Sequence, residues 1–402
     1  MQISIDSVQR SSSLKILVIG FLILLMLIPM AMIRDVIIDR QNNALQARQD
    51  ITRAWGGPQT IGGPMLIIPY QQTRVTQYGE RLADDGKLFL LAESVTVAAD
   101  LTTEMRYRGV HEIPVYTSHI NIDGSFAVLD TSGLGIDTAK LDWARAVVAL
   151  SVSDARAIRN SPVLNFEDRQ IRFEAGGKQV QSMPPQIIAP LGKSFAAAHS
   201  EGSFEFSIEL ELGGTDRLHV LPLAETTSVS IESAWPSPSF SGRYLPETRK
   251  VDENGFTASW RITSLGRDLP SRWIDNEQNN WNAAGAAFGV DLFVPVGVYQ
   301  LSTRATKYAV LFIGLTFVGY FMFEVIAGLR LHPLQYLLVG LANAIFYLML
   351  LSFSEHLGFS AAYLLSAVAS SGLIAGYSSA VLGKRTRALM MVGVLAVLYG
   401  YL

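Results

Sequence analysis

The chain has 402 residues, 49% of them hydrophobic and 17% charged, and its mean hydropathy is +0.27. Soluble domains carry about 25% charged residues, so part of this chain is read as living in lipid, and disorder, collagen and nucleic-acid-binding tails are excluded together. The net charge of −3 gives no electrostatic case for a polyanionic partner, and the absence of cysteine removes disulfides, thiolate zinc sites, iron–sulfur ligation and a cysteine nucleophile.

Charge is unevenly placed. Residues 1–33 hold only Asp6, Arg10 and Lys15, and residues 306–402 only Lys307, Glu324, Arg330, Glu355, Lys384, Arg385 and Arg387. The remaining 25 basic and 32 acidic residues lie in 34–305, about −7 for that segment. This pattern predicts a mildly acidic, water-soluble middle domain between two membrane-embedded parts.

Residues 1–13 are expected as a cytoplasmic N-terminus. Leu14 to Ile33 is an apolar run of about 20 residues whose one charge is Lys15, enough at about 1.5 Å per residue to cross a hydrocarbon core of about 30 Å. It reads as an uncleaved signal anchor. The competing reading, a cleaved signal peptide, meets a run longer than the usual h-region and no small-x-small site around Met30 to Met32. Arg34 to Trp55 mixes charged and apolar residues without glycine or proline, so the helix is expected to continue as a polar stalk until Gly56, Gly57 and Pro58 end it.

Beyond the stalk the period changes to two. Phe204, Phe206, Ile208, Leu210 and Leu212 alternate with Glu205, Ser207, Glu209 and Glu211, and Phe256, Ala258, Trp260 and Ile262 repeat the pattern, which puts apolar side chains on one face of a strand. Asp85-Gly86 and Asp123-Gly124 sit between alternating runs and are read as hairpin turns. Gly176 to Pro190, rich in Gly, Pro and Gln, is read as a loop dividing the segment into two β lobes. Residues 34–305 are therefore expected as a large, mainly-β, sandwich-like domain rather than βαβ units.

Further spans are predicted over about 308–329, 333–353 and 359–382, with short connectors that force antiparallel neighbours. A last apolar segment, 388–402, covers about 22 Å of helix and is expected to be an incomplete span. Lys384, Arg385 and Arg387 assign their connector to the cytoplasm. Alternation then puts Glu355 and His356 outside, Arg330 and His332 inside, the middle domain outside and the N-terminus inside. In a Gram-negative cell the outer compartment is the periplasm. The whole is expected to be an α+β membrane protein with an N-terminal transmembrane helix, a large periplasmic β domain and a C-terminal transmembrane helical bundle.

Motifs for chemistry are sparse. No pair among His111, His119, His199, His219, His332 and His356 has the spacing of a zinc-protease helix. Gly192-Lys193-Ser194 resembles the end of a phosphate loop, but Ile187 stands where its first glycine belongs. No Gly-x-Ser-x-Gly elbow or dinucleotide fingerprint occurs. Asp154 and Arg156 follow the apolar run Ala146 to Leu150 and read either as a polar turn or as an anion-holding strand end. Trp235, with Pro236, Pro238 and Phe240, reads as a packed corner or a recognition surface. Glu324 and Asn343 lie within spans, where polar side chains need partners; Asn343 is expected to bond between helices, and Glu324 to reach water or pair with Arg330. Gly372 and Gly376 have GxxxG spacing and, with Ser366 and Ser370 on an adjacent stripe, allow close packing. Arg304, Glu355 and His356 meet at the expected outer mouth, where acid–base work is chemically open to them.

Three blocks carry a family resemblance: Thr303-Arg304-Ala305-Thr306-Lys307-Tyr308-Ala309, Leu331-His332-Pro333-Leu334-Gln335-Tyr336-Leu337-Leu338-Val339-Gly340, and Ser354-Glu355-His356-Leu357-Gly358-Phe359. It continues through Asp154-Ala155-Arg156, Trp235-Pro236-Ser237-Pro238-Ser239-Phe240, and Leu27-Ile28-Pro29-Met30 with Arg34. The chain resembles the cell envelope integrity inner-membrane proteins called CreD. The resemblance implies the same anchor, periplasmic domain and helical bundle. It also implies a role in envelope integrity, regulation by a two-component system, and altered tolerance of colicins and cell-wall antibiotics. It brings no catalytic residues and no cofactor, and it implies a sixth span beyond Leu402, so the sequence is expected to be truncated or a fragment.

Candidate functional or interaction residues are Asp154, Arg156, Trp235, Arg304, Lys307, Glu324, His332, Asn343, Glu355 and His356. Expected partners are the lipid bilayer and envelope proteins or glycans, with no nucleic acid and with oligomerisation open. The first functional expectation is a non-enzymatic envelope protein that binds through its β domain. A transporter or channel is the alternative, followed by a membrane-bound hydrolase or transferase.

Overall fold

The computed structural model describes residues 12–75, 81–166, 169–180, 183–192, 203–267, 269–275, 283–292, 297–328, 331–382 and 385–401. The chain forms two compact units, Met1–Ala47 with Pro295–Leu402, and Arg48–Val294. Both dividing points fall inside the segment 34–305 that hydropathy assigns to the middle domain. The reason is packing: Ile33, Ile37 and Ala305 are buried in the core of the helical unit, so the first half of the stalk and the approach to the second span belong with the helices. Arg10, Lys193, Ser194, His199, Arg330 and Lys384 lie outside the described residues.

The described strands of the second unit are β1 Gln59–Val75, β2 Arg81–Arg108, β3 His111–Phe126, β4 Val147–Val152, β5 Val163–Phe166, β6 Arg169–Arg172, β7 Glu174–Gly177, β8 Gln186–Pro190, β9 Phe204–Thr215, β10 Arg217–Leu221, β11 Ala224–Ser233, β12 Pro238–Gly242, β13 Thr248–Asp252, β14 Gly255–Thr263, β15 Arg272–Ile274 and β16 Phe288–Leu292. Strand β2 belongs to two layers. Its first part, to Leu91, pairs with β1, and its part from Ser94 onward pairs with β3 while β11 runs parallel on its other edge. One layer runs β13-β14-β11-β2-β3-β9-β5-β6; the other runs β12-β16-β10-β1, with β4, β8 and β7 continuing from β1.

The period-two segments behave as expected. Phe204, Phe206, Ile208, Leu210 and Leu212 of β9, and Phe256, Ala258, Trp260 and Ile262 of β14, all enter the core that both layers share, each large side chain contributing about 1.5–3 kcal/mol by leaving water. Strand β1 follows another rule. Leu66 and Ile68 face this core, while Met65 and Ile67 face a second, smaller one with Phe89, Leu91, Leu221, Leu223 and Trp273. A strand covered on both faces reads as the unbroken apolar run Met65 to Ile68.

Three sequence expectations are corrected here. Asp123-Gly124 lies inside β3, paired on both sides; a Cβ on Gly124 would stand 2.1 Å from the Ser94 carbonyl oxygen and 2.6 Å from the Phe206 ring, so glycine serves close approach rather than a turn. Asp85-Gly86 lies inside β2 opposite Gln71 and Tyr70, and the Tyr70 ring fills the space a Cβ would need. The turn joining β2 to β3 is instead Gly109–Val110, with Gly109 at φ 62°. Gly176 to Pro190 does not divide the unit, because β8 pairs with β4 and β7 within the same layer.

The helices are α1 Ser12–Leu25, α2 Leu27–Trp55, α3 Val298–Lys307, α4 Ala309–Ala327, α5 Pro333–Leu357, α6 Phe359–Leu382 and α7 Arg385–Tyr401. Among the described residues four stretches, Leu14–Trp55, Ala309–Ile326, Pro333–Leu357 and Phe359–Ala380, are long and apolar enough to cross a membrane, and Val392–Tyr401 is a shorter apolar helix. Helix α3 falls where the sequence reading ends the β domain; its buried face is Ser302 and Ala305, and Ser302, Thr303 and Thr306 return their hydroxyls to backbone carbonyls of the same segment. Gly340 lets α5 approach its neighbours, since a Cβ there would meet Met26 Sδ at 2.7 Å and the Phe317 ring at 2.9 Å. Gly372 and Gly376 instead face open space, whereas Ser366 and Ser370 are the buried stripe of α6.

Candidate functional site

The end of α2 is built into the β unit. Trp55 has its indole between two guanidinium groups, Arg159 at 3.9 Å and Arg106 at 4.5 Å from the ring centroid, and its Nε1 donates to the Tyr116 carbonyl at 3.0 Å. Earlier on the same helix, Arg48 pairs with Asp216, Asp50 pairs with Arg108 at 2.9 Å, and Thr52 and Thr215 bring their hydroxyls within 3.4 Å. The helix stops at Gly56, whose φ of 129° suits glycine; a Cβ would stand 2.6 Å from that of Ala157 and 2.9 Å from the Gly213 carbonyl oxygen.

Asp154 and Arg156 belong to this joint. Asp154 caps a one-turn 3-10 helix, Ala155–Ala157, by accepting from the Arg156 amide at 3.2 Å, and it takes the Arg156 guanidinium at 2.9 and 3.0 Å. The hydrogen bond from that guanidinium holds the Asp154 carboxyl below the usual carboxylate range. The turn sets Ala157 against Gly56 and Arg159 over Trp55. Asn160 then clips the segment to β9, donating to the Glu209 carbonyl at 3.0 Å and accepting from the Glu211 amide at 3.1 Å. Buried Gln59 donates to the Gly213 carbonyl at 3.1 Å and accepts from the Ser153 hydroxyl at 3.0 Å.

Three predicted residues of the helical unit form polar centres at three depths, each bonded to a tyrosine hydroxyl. Glu324, 4% exposed, pairs with Lys15, accepts from Tyr336 Oη at 2.8 Å and from the Leu331 amide at 3.2 Å. The expected partner Arg330 lies outside the described residues; among the described ones the cation at Glu324 is Lys15. Asn343, fully buried, accepts from Tyr399 Oη at 3.4 Å, and that hydroxyl also lies 3.0 Å from Ser370 Oγ, which donates to the Ala342 carbonyl. The bond joins α5 to α7, the interhelical role expected of it. Glu355 accepts from Tyr299 Oη at 3.0 Å and stands 3.9 Å from Arg40.

The other predicted residues are not gathered with these. His332 caps α5, its Nδ1 accepting from the Leu334 amide while the Gln335 side chain accepts from the His332 amide. Arg304, Lys307 and His356 are exposed, and nothing among the described contacts brings Arg304 or His356 onto Glu355. Trp235 is half-buried at a corner, donating from Nε1 to the Ser237 carbonyl at 3.1 Å and from its amide to Ser233 Oγ at 3.2 Å.

Sequence reasoning missed His219, Ser241 and Asp291, which meet from β10, β12 and β16. His219 Nε2 lies 3.0 Å from Ser241 Oγ and 2.9 Å from Asp291 Oδ1, while Ser241 Oγ donates to Asp291 Oδ2 at 2.8 Å. A nucleophile relay needs the serine and the carboxylate on opposite ring nitrogens; here one nitrogen serves both, and the hydroxyl proton points at the carboxylate. Burial pulls the His219 pKa down, and Asp291 partly offsets it. Among the described residues no group of three or more His, Asp or Glu could hold a metal ion. On the exposed face of the first layer a shallow groove of about 590 Å³ is lined by Asp100, His119, Asn121, Ser230, Thr257 and Ser259.

A chain made of an apolar helical unit and a mainly-β unit has relatives. A family described as Inner membrane protein CreD matches residues 11–402. The Inner membrane protein CreD of Escherichia coli (strain K12) is 33% identical over 364 residues, which cover 90% of this chain and 79% of that protein. The chain belongs to the CreD family of inner membrane proteins.

Proposed function

We propose that the chain supports cell-envelope integrity without catalysis: the β unit lies in the periplasm with the N-terminus in the cytoplasm, binds an envelope protein or glycan, and passes the effect of binding into the bilayer through α2. The observation that carries this reading is the Trp55 joint. A binding module that only needed tethering would be served by a flexible linker, whereas here the last two turns of α2 are held by two ion pairs, a double cation–π stack and an indole hydrogen bond. The groove over Asp100, His119 and Asn121 offers the polar side chains a glycan or peptide would need. The link to a two-component response and to colicin and antibiotic tolerance, implied by the family resemblance, is part of the same proposal.

The test is complementation of an envelope defect by a chain carrying Arg106→Gln with Arg159→Gln, which releases the stack while keeping polar side chains. The expected result is sensitivity to detergent and cell-wall antibiotics with chain level and protease-resistant β core unchanged. Full complementation by the released chain, or robust turnover of a substrate by the purified protein, overturns the reading. Transport is the second reading, favoured by one observation: Asn343, Ser370 and Tyr399 form a buried polar cluster midway along α5. A flux assay in proteoliposomes that stays flat for wild type and for Asn343→Ala removes it.

A further inference from the structure

Buried hydroxyls of the helical unit commonly answer to their own backbone. Ser302, Thr316 and Ser354 are buried, and each returns its hydroxyl to a carbonyl three or four residues earlier on the same helix, the usual resource of serine or threonine in a helix. Three other buried groups do not. Among the described residues, Asn343 Nδ2, Tyr347 Oη and Ser366 Oγ have no hydrogen-bond partner, and they are the unpartnered buried polar atoms of this unit. All three side chains are fully enclosed. A polar group shut away without a bond is costly, and hydrocarbon can supply none.

The three fall in one place. Asn343 and Tyr347 are one turn apart on α5 and share a face, and Ser366 and Ser370 do the same on α6. Ser370 Oγ donates to the Ala342 carbonyl at 3.1 Å, which sets the register of the two helices. They run antiparallel through the single residue Gly358, so Ser366, four residues before Ser370, lies level with Phe346 and Tyr347. Helical side chains lean toward the N-terminal end of their helix, which carries Tyr347 toward Asn343. The hydroxyls of Tyr363 on α6 and Tyr399 on α7 act on it electrostatically, so Tyr347 Oη stands on the side where those helices meet α5. The first rung, Asn343 with Ser370, is closed by Tyr399 Oη at 3.4 and 3.0 Å. The second rung, Tyr347 with Ser366, has no such closure among the described contacts.

The open groups are an amide that donates and two hydroxyls that donate and accept. The bonds joining Asn343, Ser370 and Tyr399 involve no charged side chain, so the site suits a neutral molecule rather than an ion. Its size follows from the rungs: one turn is about 5.4 Å, which a water spans with two bonds of about 2.8 Å. We infer that Asn343, Tyr347 and Ser366 hold a resident water molecule between α5 and α6, accepting from Asn343 Nδ2 and bonded to both hydroxyls. Three bonds is the usual complement of a buried water. Because these bonds are directional, the water sets the rotation of α6 against α5, which apolar contacts alone fix loosely. The site requires neither binding by the β unit nor transport.

The test uses the full-length protein in nanodiscs. A short X-ray pulse converts water into hydroxyl radicals where it stands, and mass spectrometry then finds the aromatic rings hydroxylated beside it. Tyr320 is the internal reference: it is 1% exposed, as is Tyr347, but its hydroxyl is bonded to Ser378. Tyr347 is expected to be hydroxylated several-fold faster than Tyr320, and Ser366→Ala, which removes one arm of the site, to slow that labelling. In thermal unfolding, Ser366→Ala and Tyr347→Phe should each lower the melting temperature, and the double variant should fall short of the sum. Tyr347 labelled no faster than Tyr320 in the unsubstituted protein overturns the inference, and this comparison stands even where a variant fails to fold. So does labelling that Ser366→Ala leaves unchanged, since the water is then held by other groups. A melting temperature raised by both single variants also overturns it, because deleting a hydroxyl that truly lacks a bond relieves the fold.

Discussion

The Lys15–Glu324 pair allows a quantitative test of what holds the first helix to the bundle. Glu324→Ala removes the charge partner of Lys15 and leaves the Tyr336 hydroxyl and Leu331 amide without their acceptor, and breaking a buried pair from one side costs about 3–5 kcal/mol. Lys15→Met should cost less, about 1–3 kcal/mol, because Glu324 keeps two hydrogen bonds and Lys15 is 26% exposed. The double variant Lys15→Met with Glu324→Gln replaces the pair by two neutral groups of similar volume, and Gln keeps both contacts by accepting from the Leu331 amide at Oε1 and donating from Nε2 to Tyr336 Oη. Its cost should fall short of the sum of Lys15→Met and Glu324→Gln measured singly by about 1–3 kcal/mol. The assay is equilibrium unfolding of the helical unit in mixed micelles, followed by far-UV circular dichroism. Additive costs within experimental error would refute the reasoning, since they would mean that each side chain is held by something other than its partner.

At the stalk joint, Trp55→Ala removes two cation–π contacts of about 0.5–2 kcal/mol each and one hydrogen bond of about 1 kcal/mol, so the β unit should unfold about 2–5 kcal/mol more easily by denaturant titration. Gly56→Ala combines a positive φ with a Cβ at 2.6 Å from Ala157, and the expected readout is new protease cleavage close to the end of α2. His219 gives a pH test: its folded pKa lies below the unfolded value of about 6.5, so the unfolded chain binds the extra proton, and the contribution is complete above pH of about 6.5 and lost as pH falls toward the folded pKa. The melting temperature of the β unit should therefore drop between neutral and mildly acidic pH, and His219→Asn should flatten that drop.

The layers of this protein were legible because solvent imposes them. A strand half-covered by a core alternates, as β9 and β14 do, and a strand covered on both faces does not, as Met65 to Ile68 shows. Turn residues were misread because glycine answers to two demands. Gly109 supplies the positive φ of a turn, while Gly124 and Gly86 make room for a neighbouring carbonyl and a tyrosine ring, and the dipeptide Asp-Gly looks the same in both settings. Asp154-Ala155-Arg156 could be recognised as a polar turn from its own residues. What it supports, Ala157 against Gly56 and Arg159 over Trp55, depends on contacts with the other end of the unit and leaves no local signature.

In the helical unit, depth was readable and partnership was not, and the energetics explain the difference. Charge costs most at the centre of a bilayer and least near its surfaces. The two charged centres, Lys15 with Glu324 and Arg40 with Glu355, accordingly lie toward opposite ends of α5, and the neutral amide of Asn343 lies between them. Position along an apolar run is therefore enough to place Glu324, Asn343 and Glu355. Their partners are a different matter: Lys15 is 309 residues from Glu324, and Tyr399 is 56 from Asn343. The bond at each depth is completed by a tyrosine, whose ring is apolar enough to sit among leucines and whose hydroxyl can then answer one buried acceptor. A residue with both properties is indistinguishable in sequence from the other tyrosines of the chain until the helices are packed.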